Sequence, residues 1–326
     1  MALVSQEVFQ TLPFRLSVSL VLLFAISASA EITPKERETE LSSFELVWST
    51  VRDHNPDPQF HGLDWQAVHD SYRAKVEAAK SVAEVRGVMR EMVGKLGMSH
   101  YAIVSDDRYM TSPPVASSEG IAVQFGNLPE SRLVFESRML ASGAGYIRFN
   151  EFLDPVSVMP KFEAGMKEFA KAPGVILDLR GNPGGIGIMA MGIAGFFVGE
   201  SGQQLGVMKM RDTTLKFAIF PRPDVYRGKL AILLDAGSAS TTEILAQGLQ
   251  DLKRARIFGT RSAGAALPSD IIRLPNGDGF QYPTASFTST GGRVLEGNGV
   301  TPDVEVEAGA GPDAAIDAAA AWIARP

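Results

Sequence analysis

Cysteine is absent from all 326 residues, and histidine occurs only four times. Without thiols there is no thiol nucleophile, no Cys-ligated zinc or iron–sulfur site and no disulfide framework. Any imidazole-dependent chemistry must use His54, His61, His69 or His100. Basic blocks are missing too. The 31 Lys+Arg stand against 37 Asp+Glu, a net charge of −6, which argues against nucleic acid or an anionic membrane surface as the main partner. No apolar run reaches the ~20 residues of a membrane-spanning helix. The run Leu16 to Ile26 (LSVSLVLLFAI) follows Arg15 and leads into Ala28-Ser29-Ala30, a small-residue pattern that a signal peptidase accepts. Residues 1–30 therefore read as a signal peptide, with an uncleaved anchor as the alternative. The mature chain is expected from Glu31, exported to the periplasm or secreted, with no integral membrane span. At roughly 150 residues per domain, its length predicts two domains.

The patterning separates these two. From Ser42 to Leu96 apolar residues recur at helical spacing, as in Phe44, Val47, Trp48, Val51 and again Val85, Val88, Met89, Met92, Val93, Leu96. His54-Asn55-Pro56-Asp57-Pro58 breaks the first helix, and Asp64 is placed to cap the next. A helical domain is predicted over 31–111. After the Pro/Ser-rich stretch 112–119, strand-like runs at Ile121–Phe125 and Arg132–Glu136 form a short β connection over 112–144. Strands then alternate with helices: Gly145–Phe149, a helix on Met159, Phe162, Met166 and Phe169, Gly174–Leu179, a helix over Ile188–Val198, Leu230–Leu234, a helix on Ile244, Leu245, Leu249 and Leu252, and Ala255–Phe258. An alanine-rich helix over Asp313–Ala324 closes the chain. Continuously apolar strands between helices imply an α/β core over 112–326 whose sheet is covered on both faces.

Ligands of α/β sheets bind at the carboxyl ends of strands, and two loops there are unusual. Arg180-Gly181-Asn182-Pro183-Gly184-Gly185 offers backbone N–H groups with no Cβ in the way, as an oxyanion cradle needs, or else is an ordinary tight turn. It lacks the spacing of a phosphate-binding loop. Gly237-Ser238-Ala239-Ser240-Thr241-Thr242-Glu243 places a hydroxyl at a helix start, where N–H groups and dipole favour negative charge. The alternative is N-capping by Ser240 or Thr241, with Glu243 completing a capping box. It is not a G-x-S-x-G elbow. His54, His61 and His69 read as surface or capping histidines of the helical domain. His100, in Leu96-Gly97-Met98-Ser99-His100-Tyr101, stands beside a glycine break at that domain's end.

Three motifs in order resemble the tail-specific, or C-terminal processing, family of serine peptidases, and in particular its tricorn-like branch. They are Leu177-Asp178-Leu179-Arg180-Gly181-Asn182-Pro183-Gly184-Gly185, then Ser238-Ala239-Ser240-Thr241-Thr242-Glu243-Ile244 continuing through Gly248-Leu249-Gln250-Asp251, then Gly299-Val300-Thr301-Pro302-Asp303-Val304. The resemblance covers nearly the whole mature chain. It implies a crotonase-like α/β core after an N-terminal helical domain, and hydrolysis of peptides or proteins through an acyl-enzyme. Ser240 would be the nucleophile. Thr241 and one glycine of Gly184 and Gly185, preferably Gly185, would supply oxyanion N–H groups. Relatives with a Ser–Lys dyad carry lysine in G-x-x-x-G-K, where this chain has Gly264-Ala265. The tricorn-like branch instead implies His100 as base, with Ser99 and Glu296 assisting, and no metal or cofactor. Only 44 positions separate Tyr101 from Gly145, too few for the PDZ domain of about ninety residues found in many relatives, though Gly120-Ile121-Ala122-Val123 is similar to its first strand. A catalytically silent binding protein and a CoA-ester enzyme on the same scaffold are the competing readings.

Overall fold

A computed structural model describes residues 31–105, 121–123, 131–307, 309, 311 and 313–326. The leader at 1–30, the Pro/Ser-rich stretch 112–119, Gly120 and the last two residues of the Ile121–Phe125 run lie outside the described residues. Helix Pro34–His54 opens on a capping box in which Thr33 and Glu36 satisfy each other's backbone N–H. It stops at Asn55, where Pro56 forbids continuation. Asp64 caps helix Trp65–Ala78 by accepting the Ala67 N–H, as expected, and Ser81 caps helix Val82–Gly94. Arg37 donates to the carbonyls of Val76, Glu77 and Ala79, placing a cation at the negative end of the second helix.

The fourteen strands found among the described residues are β1 Ala102–Val104, β2 Ile121–Val123, β3 Ser131–Leu133, β4 Phe135–Met139, β5 Gly145–Phe149, β6 Gly174–Asp178, β7 Gln204–Lys209, β8 Thr214–Ala218, β9 Lys229–Leu234, β10 Arg256–Gly259, β11 Ser269–Arg273, β12 Gly279–Pro283, β13 Ser286–Ser289 and β14 Val304–Glu305. The central sheet has the order β14-β10-β9-β6-β5-β4, parallel throughout except for the antiparallel β4. One face buries Val175, Leu177, Ile232 and Leu234 against helices Pro155–Glu168, Gly187–Ala194 and Thr241–Asp251. The other buries Ile176, Ala231 and Leu233 under helix Ala314–Ile323 alone. The architecture is α/β, as the sequence implies.

Three features depart from the sequence reading. The run Arg132–Glu136 is split between β3 and β4, because Asn150 accepts the Val134 N–H through its side chain at 2.7 Å and breaks the ladder there. The helix expected over Ile188–Val198 ends at Ala194, where Gly195 and the following turn close back on Gly192 and Ile193. The hairpin β11–β12 leaves the core and pairs with β1, burying Leu274, Phe280 and Tyr282 among the N-terminal helices. A fourth element reaches across as well. The β7–β8 turn extends Arg211 onto the end of helix Pro34–His54, where it donates to the carbonyls of Asn55 (2.7 Å) and Arg52 (2.5 Å).

The hairpin turn is fixed to the helices by polar contacts. Arg86 forms a two-pronged pair with Asp278 at 2.7 Å for both bonds, and Asn276 reaches Glu40 and the Ser43 hydroxyl. Asp278 is fully buried, while the Arg86 side chain is 26% exposed. Removing the guanidinium takes the charged partner from a buried carboxylate that keeps the Asn276 amide at 3.3 Å, so Arg86→Ala is expected to cost about 2 kcal/mol, below the range for a broken buried pair because that donor remains and Arg86 is partly solvated. Urea unfolding measures this, and a loss below about 0.5 kcal/mol, the size of an ordinary surface substitution, would show that the pair does not anchor the hairpin.

Candidate active site

The two loops singled out by sequence lie side by side at the carboxyl ends of β6 and β9. The first departs from Asp178, a buried carboxylate that accepts the Tyr146 hydroxyl at 2.8 Å and the Arg180 guanidinium at 2.6 Å. Burial and the adjacent Asp178 charge raise the Tyr146 pKa, so its hydroxyl remains a donor. Asp235, at the end of β9, accepts the N–H groups of Gly181 and Gly237 and so pins the loops to each other. Asn182 is the second pin. Its amide donates to the Phe149 carbonyl, its side-chain oxygen accepts the Gly184 N–H at 2.9 Å, and its own carbonyl accepts the Ala239 N–H.

That last set of bonds distinguishes the two glycines. The Gly184 N–H is consumed inside the loop, whereas the Gly185 N–H has no acceptor among the described residues. Gly185 bridges to Phe152 through its neighbours, with Phe152 N–H donating to Gly184 and Ile186 N–H to Phe152. That pairing turns the Gly185 N–H away from the bridge. Gly184 serves by having no side chain: a Cβ there would lie 2.7 Å from the Ala239 carbonyl and 2.8 Å from both Ser240 Cβ and the Thr241 nitrogen.

Ser240 sits at φ 55°, ψ −120°, a conformation costly for any residue with a side chain. A true N-cap residue stays extended, so the capping reading of Ser240 accounts for only part of what is seen. The backbone makes the sharp strand-to-helix turn of a nucleophile elbow without the flanking glycine motif; the room comes from Gly184 on the other loop. The strained turn is held by Glu243, a fully buried carboxylate. It accepts the Ser240 N–H (3.0 Å), the Ser262 hydroxyl (2.5 Å) and the N–H groups of Gly264 (2.8 Å) and Ala265 (3.0 Å). Thr241, the first residue of the helix, donates its hydroxyl to the Gly185 carbonyl at 2.6 Å, which fixes the spacing of the two loops. Ser238 is buried and bonded to Leu179 and Asp235, so its hydroxyl is structural.

From the helical side come Ser99 and His100. His100 is also at positive φ, 65°. Ser99 donates its hydroxyl to Glu296 at 2.8 Å and its backbone N–H to the same carboxylate at 2.6 Å. The hydroxyl proton is thereby used, so Ser99 Oγ receives the Nδ1–H of His100 across 2.7 Å. This selects the tautomer with a bare Nε2, the form a general base requires. Burial lowers the His100 pKa below its ordinary value, and the Glu296 charge opposes the shift.

Ser240, Thr241, Gly184 and Gly185 thus form one cluster, and Ser99, His100 and Glu296 another. Residues 264–266 join them. The Ala265 carbonyl accepts the Ser240 N–H at 2.8 Å, the next N–H, of Ala266, goes to Glu296 at 3.2 Å, and Gly297 N–H returns to the Gly264 carbonyl. No hydrogen bond links Ser240 to His100 among the described residues; that contact often tightens only with substrate bound. Asn182 and Asp235 were not expected in these roles, and Glu243 was expected only as the capping-box partner of Ser240, a contact it does make, without its bonds to residues 262–265. Only Glu243 carried a local signal, its spacing of three from Ser240. His61 is exposed beside Asp57, and His54 bonds the Thr50 carbonyl. His69 is not a surface residue: its side chain is 13% exposed, packed on Trp48 and Phe44 between Glu45 and Asp70. Among the described residues no group of His, Asp and Glu is arranged to hold a metal ion.

Comparison with known proteins shows the family. The profile of Peptidase family S41 matches residues 143–306, and that of the Tricorn protease C1 domain matches residues 37–94. A carboxy-terminal-processing protease of Bartonella bacilliformis is 30% identical over 169 residues, which is 50% of this chain and 38% of that protein. The chain therefore spans well under half of that relative's length. Among solved structures, a lipoprotein from Streptococcus agalactiae superposes with a TM-score of 0.66 at 18% identity, covering 87% of this chain and 96% of that one. The photosystem II D1 C-terminal processing protease superposes with a TM-score of 0.62 at 16% identity, covering 88% and 98%. At such identities these two establish the shared fold.

The four donors converging on Glu243 give a test of the elbow. Glu243→Gln keeps the shape but turns an amide N–H₂ toward groups that themselves donate. Leaving at least one buried backbone donor unsatisfied, since the Ser240 N–H keeps the Ala265 carbonyl and the Ser262 hydroxyl can rotate, is expected to cost about 2 kcal/mol, read as a lowered midpoint of thermal or urea unfolding. A midpoint equal to that of the unaltered chain would mean the carboxylate is not what holds residues 240 and 262–265 together.

Proposed function

The chain belongs to peptidase family S41, and on that premise we propose that it is a serine peptidase acting on peptides or proteins, with Ser240 as nucleophile and His100 as base. The observation that carries this reading is the directed Glu296–Ser99–His100 relay, joined through residues 264–266 to a strained Ser240 elbow. Ser240 Oγ attacks the substrate carbonyl while His100 Nε2 takes its proton. The negative charge that develops on the carbonyl oxygen is received by the N–H groups of Gly185 and Thr241, for which no acceptor stands among the described residues. The imidazolium, stabilised through Ser99 by Glu296, then protonates the departing amine. A water molecule, losing its proton to the same Nε2, hydrolyses the acyl-enzyme and restores Ser240. The family match at 143–306 favours this reading over a CoA-ester enzyme.

A fluorophosphonate probe is expected to label the folded wild-type chain on Ser240. Ser240→Ala should abolish both labelling and peptide hydrolysis with no change in the unfolding midpoint; labelling that persists in this variant, or a folded wild type that never labels, would overturn the assignment and return the silent binding protein to first place.

The charge balance around His100 sets the pH profile. Imidazolium is inactive as a base, so kcat/KM rises with pH as His100 loses its proton, and burial places this limb below the ordinary histidine value of about 6.5. Glu296 opposes that shift. Glu296→Gln is therefore expected to move the acid limb to still lower pH while reducing kcat by at least about tenfold through loss of imidazolium stabilisation. A limb that moves upward, or stays in place at full rate, would exclude Glu296 from the relay.

A further inference from the structure

The acyl-side residue of the substrate, whose carbonyl Ser240 attacks, has to place that carbonyl oxygen between the N–H groups of Gly185 and Thr241. Its side chain then falls within a few ångströms of whatever flanks Gly185. One apolar group does so directly, and two more stand exposed on the neighbouring helix and strand. Leu153 Cδ2 lies 3.0 Å from the point a Gly185 Cβ would occupy. Ile188 follows in the first turn of helix Gly187–Ala194 and is 57% exposed, and Leu215 on β8 is 47% exposed.

The position of Leu215 follows from register. Phe217 packs against Gly187, whose Cβ would meet its ring at 2.8 Å, and Phe220 N–H donates to the Met191 carbonyl at 3.2 Å. Strand and helix therefore advance together, and stepping back two residues from Phe217 carries β8 past the helix start toward Gly185. Leu215 shares the face of Phe217, since side chains alternate along a strand. It pairs with Met208, which pairs with Phe287, the ring that Phe217 meets edge-on at 5.6 Å. Lys216 alternates to the opposite face. The carboxylate next in the chain after Leu153, Asp154, is engaged in capping helix Pro155–Glu168, where it accepts the Ser157 N–H at 3.0 Å. The charges on these elements are thus engaged or on the opposite face, while Ile188 and Leu215 are large apolar side chains left exposed.

We propose that Leu215, with Ile188 and Leu153, forms the pocket that selects an apolar side chain on the acyl side of the scissile bond. The proposal rests on the serine-peptidase reading and adds the substrate class to it. Leu215 is a specificity residue: it touches the substrate side chain and takes no part in proton transfer.

The test uses the full mature chain and fluorogenic peptides that differ only at the acyl-side residue. The wild type is expected to hydrolyse Leu, Met or Phe peptides at least about tenfold better in kcat/KM than Lys or Glu peptides, the discrimination that an apolar pocket of this kind supplies. Leu215→Asp is expected to reverse the order in favour of Lys, and Ile188→Glu, a surface change at a helix start that favours acids, to move it in the same direction. Both variants should keep fluorophosphonate labelling of Ser240. Labelled, folded variants whose preference equals that of the wild type, or a wild type that prefers charged residues, would overturn the pocket while leaving the peptidase reading intact. A wild type that neither labels nor hydrolyses any peptide would instead bring down the reading beneath it, and the pocket with it.

Discussion

Glu243 is a carboxylate without exposed surface that takes hydrogen bonds from two separate stretches of chain, the elbow at Ser240 and the segment 262–265. A buried charge is tolerable only when its acceptor sites are filled, and here filling them is what builds the site. Because the donors are backbone N–H groups and one hydroxyl, the carboxylate fixes main-chain positions rather than a rotatable side chain. Ser240 is thereby held in a backbone conformation it would otherwise leave, at a cost on the order of 1–3 kcal/mol. The same carboxylate sets residues 264 and 265, and residue 266 then meets Glu296. One buried charge consequently couples the Ser240 backbone to the loop that meets Glu296.

The imidazole itself belongs to a different layer. Ser99 and His100 end the helical region, whose core includes the β11–β12 hairpin, while the elbow follows β9 and Glu296 lies in a turn next to Leu295, on the side of the core that packs against the central sheet. The relay crosses the junction of the two. So does the Arg211 contact with the end of helix Pro34–His54, whereas the Arg86–Asp278 pair ties the hairpin into the helical region itself. With the proposed base on one layer and the proposed nucleophile on the other, their separation depends on how those layers dock, so small shifts at the junction change the Ser240–His100 distance without disturbing either core. The relay corrects only part of that freedom, because Ser99 orients the ring about Nδ1 but exerts no hold on Nε2.

Much of this was legible in the chain because its signals are local. The apolar runs at β6 and β9 fill a doubly covered sheet, Asp64 caps the helix it precedes, and the glycines at 184 and 185 stand where side chains would collide. The strands β7, β8, β11 and β12 carry no such signal. Their residues alternate imperfectly between exposed and buried, as in the Thr214–Ala218 edge strand, and the partner of β12 is the distant β1. Nor could spacing reveal that Asn182 consumes the Gly184 N–H, a contact that falls within one loop but depends on the strand next to it. His69 shows the converse: its setting among carboxylates looks polar in sequence, yet Trp48 and Phe44 from another helix cover it.

Ala265 joins the local and the distant parts of the argument. Relatives with a Ser–Lys dyad hold the base at this position, within the catalytic loop itself, so a lysine there would need no second layer. Here the backbone of Ala265 is fully occupied, its N–H on Glu243 and its carbonyl on the Ser240 N–H, while its side chain is a methyl group with no proton to exchange. The position therefore serves the backbone and carries no group that could act as a base. In the proposed mechanism base function falls to a ring carried by the helical layer, and that ring needs an orienting hydroxyl and a carboxylate which a lysine would not. Ser99 and Glu296 are the additional parts that this exchange requires, and both are present, bonded in the direction that leaves Nε2 bare.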